Sequence, residues 1–224
     1  MQRLLDMLLS GVALLVLSPL LVPIAIVLRL TGEGEVFYVQ QRVGRGGQLF
    51  GLYKFATMLK NSPNLGTGTV TVKNDPRILP MGRFLRKTKI NELPQLLNIL
   101  KGDMSIVGPR PQTQRCFDAF PPPAQQAIQQ VRPGLSGVGS IVFRDEEDLM
   151  HGHTDAAKFY DEVIAPYKGA LEEWYVAHQG LRTYLLSIVI TVWVVLFPKS
   201  PAMWRAFPTL PVPPNELAGA LCRK

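Results

Sequence analysis

Residues 7–28 read MLLSGVALLVLSPLLVPIAIVL, a stretch without one charged side chain. As a helix it would measure about 33 Å, enough to cross the hydrocarbon core of a bilayer. It is too long for the apolar part of a secretory leader, and no small-x-small cleavage site follows before Arg29. Pro19 and Pro23 lie well inside it, and each removes a backbone donor and works against a straight helix. Ser18 can bond backbone groups freed by the adjoining proline. Arg3 and Arg29 flank the run, and positive charge keeps to the cytoplasmic face, so both ends are expected on one side. Residues 1–30 therefore read as a broken, re-entrant membrane helix, with a plain spanning helix as the alternative.

The rest of the chain sets the other bounds. Of 224 residues, 47% are apolar and 18% charged, which excludes global disorder. Lysine and arginine total 24 against 17 acidic residues, a net charge of +7. That balance calls for an anionic partner, whether lipid, nucleotide or nucleic acid. No nucleic-acid-binding motif accompanies it, so nucleic acid is set aside. The two cysteines, Cys116 and Cys222, exclude a disulfide framework and fit a reducing compartment. A mean hydropathy of +0.12 is high for a soluble domain and low for a bundle of spanning helices.

Residues 36–101 read as a compact basic region of mixed elements. Two short extended segments, 36–39 and 49–53, flank a turn marked by Gly44, Gly46 and Gly47. No P-loop lysine follows at the needed spacing, so the glycines mark a hairpin and not a phosphate cradle. Residues 61–71 are loop-like in composition. Arg83 and Arg86 are three apart and share one side if the stretch is helical, a spacing that suits a diphosphate. Residues 91–100 carry a helical apolar pattern, with Asn91 as N-cap, Pro94 in the first turn and Glu92 at the positive end. Gly108-Pro109-Arg110-Pro111 makes a rigid turn that presents an arginine.

In order, these segments resemble the bacterial sugar transferase family, the monotopic phosphoglycosyl transferases that begin lipid-linked glycan assembly. The matching text is Lys54-Phe55-Ala56-Thr57-Met58, Asn74-Asp75-Pro76-Arg77, Phe84-Leu85-Arg86-Lys87-Thr88 and Glu92-Leu93-Pro94-Gln95-Leu96. Lys101-Gly102-Asp103-Met104-Ser105, Val107-Gly108-Pro109-Arg110-Pro111 and Val131-Arg132-Pro133-Gly134 complete it. The resemblance runs from the first apolar residues to about residue 200.

It implies a mixed, helix-rich α/β domain at residues 31–200, resting on the cytoplasmic leaflet of the bacterial inner membrane, with the membrane helix broken at Ser18-Pro19. It implies transfer of a sugar-1-phosphate from a nucleotide diphosphate sugar, commonly UDP-linked, to polyprenyl phosphate, with Mg2+ as cofactor, in exopolysaccharide or O-antigen synthesis. Carried over residue by residue, Glu92 is an acid/base or magnesium ligand and Arg110 a phosphate clamp. Lys54, Arg77, Arg83, Arg86 and Arg132 are candidates for neutralising diphosphate or lipid phosphate. A homodimer is compatible with this reading.

The chain departs from the family at the nucleophile. The slot of the family's attacking Asp holds Asn91, and a neutral carboxamide is a poor nucleophile that can bind magnesium only through its carbonyl oxygen. Residues 135–148 replace a Gly-Trp-Ala-Gln stretch, and Ala56 stands where a basic residue is common. Glu92, or an acid among Asp145, Glu146, Glu147 and Asp148, is the expected replacement carboxylate; an acidic helix start on the surface is the plainer reading of the latter four. The rival function is a non-catalytic membrane scaffold or polyprenyl-phosphate-binding protein.

Other residues carry less. His151 and His153 have no further ligand nearby, His178 sits alone on a helix with Trp174 and Tyr175, and no basic partner singles out Cys116. Residues 185–197 form a second apolar run, about 20 Å as a helix and too short to span. It fits a core element or one lying at the membrane surface with Trp193 at headgroup depth. The prolines of residues 201–224 predict an extended tail.

Overall fold

The computed structural model describes residues 1–62, 75–150, 155–198 and 200–221. The chain divides into two compact units: a larger one of Met1–Asp6, Arg42–Phe50 and Gly102–Lys224, and a smaller one of Met7–Gln41 and Gly51–Lys101.

The apolar run forms helix α1, Gln2–Leu30. It is a single α-helix through Pro19 and Pro23, where a break was expected. The local chemistry explains the continuity. The missing N–H of Pro19 would have bonded the Leu15 carbonyl, and the Ser18 hydroxyl donates to that oxygen instead, at 2.8 Å. Val12, Leu15, Val16 and Val22 are exposed, so among the described residues much of this apolar surface is uncovered.

In the smaller unit, Ile24 and Leu28 of α1 pack with Phe55 and Leu85. Strands β1 (Phe37–Val43) and β2 (Leu49–Phe55) pair as the expected hairpin; its tip, with Gly46 and Gly47 at φ 70° and 73°, is counted with the larger unit. Helix α2 (Pro80–Lys87) starts with proline in its first turn and ends with Arg86 and Lys87 in its last, both favourable placements. Its Gly82 lies on the Thr57 backbone, where a Cβ would come within 2.1 Å of the carbonyl oxygen. Helix α3 spans Gln95–Lys101. Its fully buried Asn98 donates to the Gly51 carbonyl (2.8 Å) and accepts from the Tyr53 N–H (2.9 Å), fixing β2 against the helix.

The larger unit is mostly helical. Strands β3 (Ser105–Val107) and β4 (Gly134–Ser136) pair in parallel, Ser105 opposite Gly134 and Val107 opposite Ser136. Their ends meet so closely that a Cβ at Gly134 would lie 2.1 Å from the Gly108 nitrogen. Around them come α4 (Gln114–Asp118), α5 (Pro122–Gln130), α6 (Val138–Val142), α7 (Glu146–Met150), α8 (Ala156–Phe159), α9 (Ala165–Ala177) and α10 (Leu181–Leu196). A π-helical turn, Tyr160–Ile164, joins α8 to α9. Phe117, Ala124, Ile128, Ile164, Leu171 and Tyr184 belong to one core. Helix α10 is a core element on one side, with Tyr184, Ile190 and Val194 buried, while Leu185, Val189, Val192 and Trp193 are exposed.

The first turn of α1 also belongs to this unit. Asp6 is buried there, and its Oδ1 accepts from the Ser105 hydroxyl (3.0 Å), the Ile106 N–H (2.9 Å) and the Tyr184 hydroxyl (2.9 Å).

The end of the chain corrects the sequence reading. Residues expected to run as an extended tail form α11 (Ala202–Ala206) and α12 (Asn215–Leu221). Met203, Phe207, Leu210 and Leu217 are buried in the larger core, and the Tyr167 hydroxyl donates to the Pro211 carbonyl at 2.8 Å. Prolines shape the connections here; apolar residues between them decide that the segment folds back.

Candidate functional site

The smaller unit gathers most of the basic residues singled out by sequence. Lys54 lies half-buried near the end of β2. The segment after it pairs with the approach to α2: the Leu79 N–H donates to the Thr57 carbonyl (3.0 Å), the Leu59 N–H to the Arg77 carbonyl (3.0 Å), and Met58 bridges Ile78. Arg83 and Arg86 both lie on α2, which meets the condition set for their spacing; Arg83 is exposed and Arg86 half-buried, with Nη1 3.7 Å from the Met58 sulfur.

Arg77 has a different setting. It is 5% exposed and forked onto Asp75, Nε to Oδ1 at 2.8 Å and Nη2 to Oδ2 at 2.6 Å, while Nη1 donates to the Ser62 carbonyl at 2.7 Å. The hydrogen bond and charge of Asp75 raise the guanidinium pKa further above its ordinary value. A phosphate would have to compete with that bidentate pair.

The Asn91-Glu92 pair sits in a short 3₁₀ turn, Ile90–Glu92, between α2 and α3. Asn91 is therefore not the N-cap of the following helix, as the sequence reading had it; the α-helix begins at Gln95, beyond Pro94. The reason lies at Lys89, which takes φ 59°, ψ 9°. Among the described residues it is the non-glycine residue in the left-handed region. Such a conformation costs about 1–3 kcal/mol and persists where the surroundings fix it. It turns the chain so that the Glu92 N–H reaches the Lys89 carbonyl at 3.0 Å. Asn91 ends up 8% exposed, with a buried Oδ1 that accepts no hydrogen bond. Glu92 is half-buried. A carbonyl oxygen left this way costs about 1–3 kcal/mol until a donor or cation meets it.

Arg110 and Arg132 belong to the larger unit. Arg132 is half-buried, and its Nε donates to the Gly102 carbonyl at 2.8 Å. Arg110, also half-buried, stands in a turn whose carbonyls are bonded one after another. Val107 O accepts from the Tyr175 hydroxyl (3.0 Å) and Pro109 O from the Gly134 N–H (2.8 Å). Arg110 O accepts from Gln112 Nε2 (3.1 Å), and Pro111 O from Arg42 Nη1 (3.2 Å).

Of the acids considered as a replacement carboxylate, Glu146 lies 2.7 Å from Lys168 Nζ and Asp145 lies 3.5 Å from Arg144 Nε. The side chains of Glu147 and Asp148, with His151, His153, Cys222 and Asn74, lie outside the described residues. His178 caps the C-terminus of α9, stacked on Trp174 at 4.4 Å, a structural placement.

Sequence reasoning passed over Lys168 and Glu172, both buried on α9. Their i, i+4 spacing was visible; their burial depends on partners from distant segments. Burial raises the Glu172 pKa to about 8, against the opposing pull of Lys168 and the Arg110 main-chain N–H.

The pattern of the bacterial sugar transferase family matches residues 1–198. Over 143 residues the chain is 38% identical to the UDP-N-acetylgalactosamine-undecaprenyl-phosphate N-acetylgalactosaminephosphotransferase of Aeromonas hydrophila, covering 63% of this chain and 34% of that protein. Over 210 residues it is 33% identical to the undecaprenyl-phosphate galactose phosphotransferase of Salmonella typhimurium, covering 88% of this chain and 40% of that protein. Over 159 residues it is 36% identical to the exopolysaccharide production protein ExoY of Rhizobium meliloti, covering 65% and 70%. The chain thus spans well under half the length of the first two relatives.

Proposed function

The chain belongs to the bacterial sugar transferase family, and we propose that it transfers a sugar-1-phosphate from a nucleotide diphosphate sugar to polyprenyl phosphate. The observation that carries this is the match along residues 1–198, which takes in α1, the basic face of α2 and the Arg110 turn together. A UDP-sugar is the donor in this reading, by analogy with the relative whose name carries UDP-N-acetylgalactosamine. The product feeds polysaccharide assembly, as the name of the exopolysaccharide relative implies for its own pathway.

Helix α1 is the membrane element in this reading, its exposed apolar face set in lipid, with the catalytic domain at the cytoplasmic surface of the inner membrane. The exposed face of α10, with Trp193, rests at the lipid interface.

The residues present fit magnesium. Asn91 supplies a buried carbonyl oxygen without a donor and Glu92 a carboxylate, hard oxygen ligands for an ion that keeps waters and binds substrate phosphates. Among the described residues no group of three or more acidic, histidine or cysteine side chains gathers, so the diphosphate itself would complete the shell. Bound there, the ion would neutralise phosphate charge. Within the smaller unit Lys54, Arg83 and Arg86 supply further positive charge for a diphosphate; Arg110 and Arg132 are phosphate-binding residues of the larger unit.

Glu92 takes the part that Asn91 cannot. Its carboxylate oxygen forms a bond to the sugar-bearing phosphorus as the bond to the nucleoside monophosphate breaks. An oxygen of polyprenyl phosphate then displaces the carboxylate, giving the lipid diphosphosugar and free Glu92. The test is nucleoside monophosphate release from a panel of nucleotide sugars with polyprenyl phosphate and Mg2+, using wild type and Glu92→Gln. Release by wild type, its loss in Glu92→Gln and a phosphosugar adduct mapped to Glu92 are expected. Full release by Glu92→Gln overturns the nucleophile, and no release from any donor by wild type favours the scaffold reading that Asn91 motivates.

A further inference from the structure

The turn that presents Arg110 has a proline on either side, and neither Pro109 nor Pro111 has an N–H to give. At those two residues the main chain can be held only through its carbonyls, by donors brought from elsewhere. Strand β4 holds the incoming side. The Gly134 N–H reaches the Pro109 carbonyl at 2.8 Å, and the Gly108 N–H reaches the Ser136 carbonyl at 2.9 Å. The end of β1 holds the outgoing side. Arg42 Nη1 donates to the Pro111 carbonyl at 3.2 Å, and the Val43 N–H to the Gln112 carbonyl at 2.9 Å. Gln112 is 7% exposed and turns its own Nε2 back onto the Arg110 carbonyl at 3.1 Å.

The hairpin tip is a firm base for these bonds. Residues Arg42–Phe50 are part of the larger unit, and Val43 is buried in the same core as Val107. The Gly44 N–H closes the tip onto the Gln48 carbonyl at 2.8 Å. Gly47 lies against α5, where a Cβ would stand 3.2 Å from Gln129 Nε2. A guanidinium is a charged donor, and such bonds are roughly twice as strong as neutral ones.

We propose that Arg42 is a positioning residue for the Arg110 guanidinium. By gripping the Pro111 carbonyl from the hairpin, it fixes the outgoing end of the turn and with it the direction in which Arg110 projects. The proposal rests on the reading of Arg110 as a phosphate clamp. A charged donor stabilises a reacting phosphate most when it is in place beforehand, and a shift of about 1 Å can cost about 100-fold in rate.

The experiment uses the full chain in lipid nanodiscs with Arg42→Met, Arg42→Lys, Arg110→Ala and the Arg42→Met/Arg110→Ala double variant. Methionine keeps an apolar stem without a donor, and lysine keeps a charged donor. Amide exchange of peptides covering residues 107–113 is expected to quicken about tenfold in Arg42→Met, with α5 and α9 as protected as in wild type. For nucleoside monophosphate release, Arg42→Met is expected to lower kcat/KM by about 10- to 100-fold, and Arg42→Lys to recover most of it. The double variant is expected to lose no more than Arg110→Ala alone. Wild-type exchange at residues 107–113 in Arg42→Met overturns the proposal. Fully additive losses in the double variant also overturn it, because Arg42 would then act on substrate independently of Arg110. Protection lost throughout the larger unit in Arg42→Met makes Arg42 a residue of the fold, which overturns it as well. Full release by Arg110→Ala is a distinct failure: it removes the clamp itself, while exchange still reports whether Arg42 holds the turn.

Discussion

Replacing Asp6 by alanine removes one acceptor from three donors at once. The Ser105 hydroxyl, the Ile106 N–H and the Tyr184 hydroxyl all point at its Oδ1, at 2.9–3.0 Å. A buried donor left without its acceptor costs about 1–3 kcal/mol. Ser105 retains its contact with Gln2 Nε2 at 3.1 Å, but as an acceptor, so its own proton is still stranded. The losses are not fully additive, since the donors share one oxygen and can relax together, which places Asp6→Ala at about 3–5 kcal/mol. For a chain of this size that corresponds to a fall of about 10 °C in Tm. Tyr184→Phe takes away one of the three bonds and should cost about 1–1.5 kcal/mol. The double variant should be more stable than the sum of its parts, because the phenylalanine no longer strands a hydroxyl. Thermal unfolding of the four proteins in detergent micelles, followed by intrinsic fluorescence, measures the cycle. An Asp6→Ala melt within about 1 °C of wild type, or strict additivity with Tyr184→Phe, would refute the reasoning.

Arg77→Met leaves Asp75 buried without its guanidinium and should cost about 3–5 kcal/mol, most of it recovered in Asp75→Asn/Arg77→Met; denaturant unfolding reads both. Glu172 gives a pH dependence whose sign follows from its raised pKa. The folded chain holds a proton that the unfolded chain releases, so stability falls as pH climbs from about 4.5 towards 8. Glu172→Gln lacks that loss, and its stability relative to wild type should improve by up to about 1.4 kcal/mol per pH unit across the window. A difference in melting temperature that stays constant from pH 5 to 8 would contradict the assignment.

What could be read from the sequence, and what could not, divides along physical lines. The membrane-length helix was legible because missing charge is a one-dimensional property, and so was the glycine hairpin, whose tip needs positive φ at Gly46 and Gly47. The spacing of Arg83 and Arg86 placed them on one side only on condition of a helix, and the structure supplies that helix. The Asn91 turn did not, because it depends on a left-handed Lys89, a residue type with no preference for that region. The continuity of α1 through Pro19 turned on one hydroxyl reaching one carbonyl, a rotamer choice that a residue list does not disclose. Lys168 and Glu172 looked like ordinary helix-surface charges; Glu146, Gly139 and Arg110, from three other stretches of chain, make them interior. The last segment was misjudged because proline content was given more weight than Phe207, Leu210 and Leu217 between the prolines.

That last segment has a consequence for where this molecule can be cut. The family pattern stops at residue 198, yet Met203, Phe207, Leu210 and Leu217 lie inside the core of the larger unit. Burying four such side chains is worth about 1.5–3 kcal/mol each, in total comparable to the whole margin by which an ordinary domain stays folded. Shortening the chain to its inherited core would open one wall of the body that carries the Arg110 turn. The boundary drawn by descent and the boundary drawn by water are therefore different here, and the second lies further along the chain.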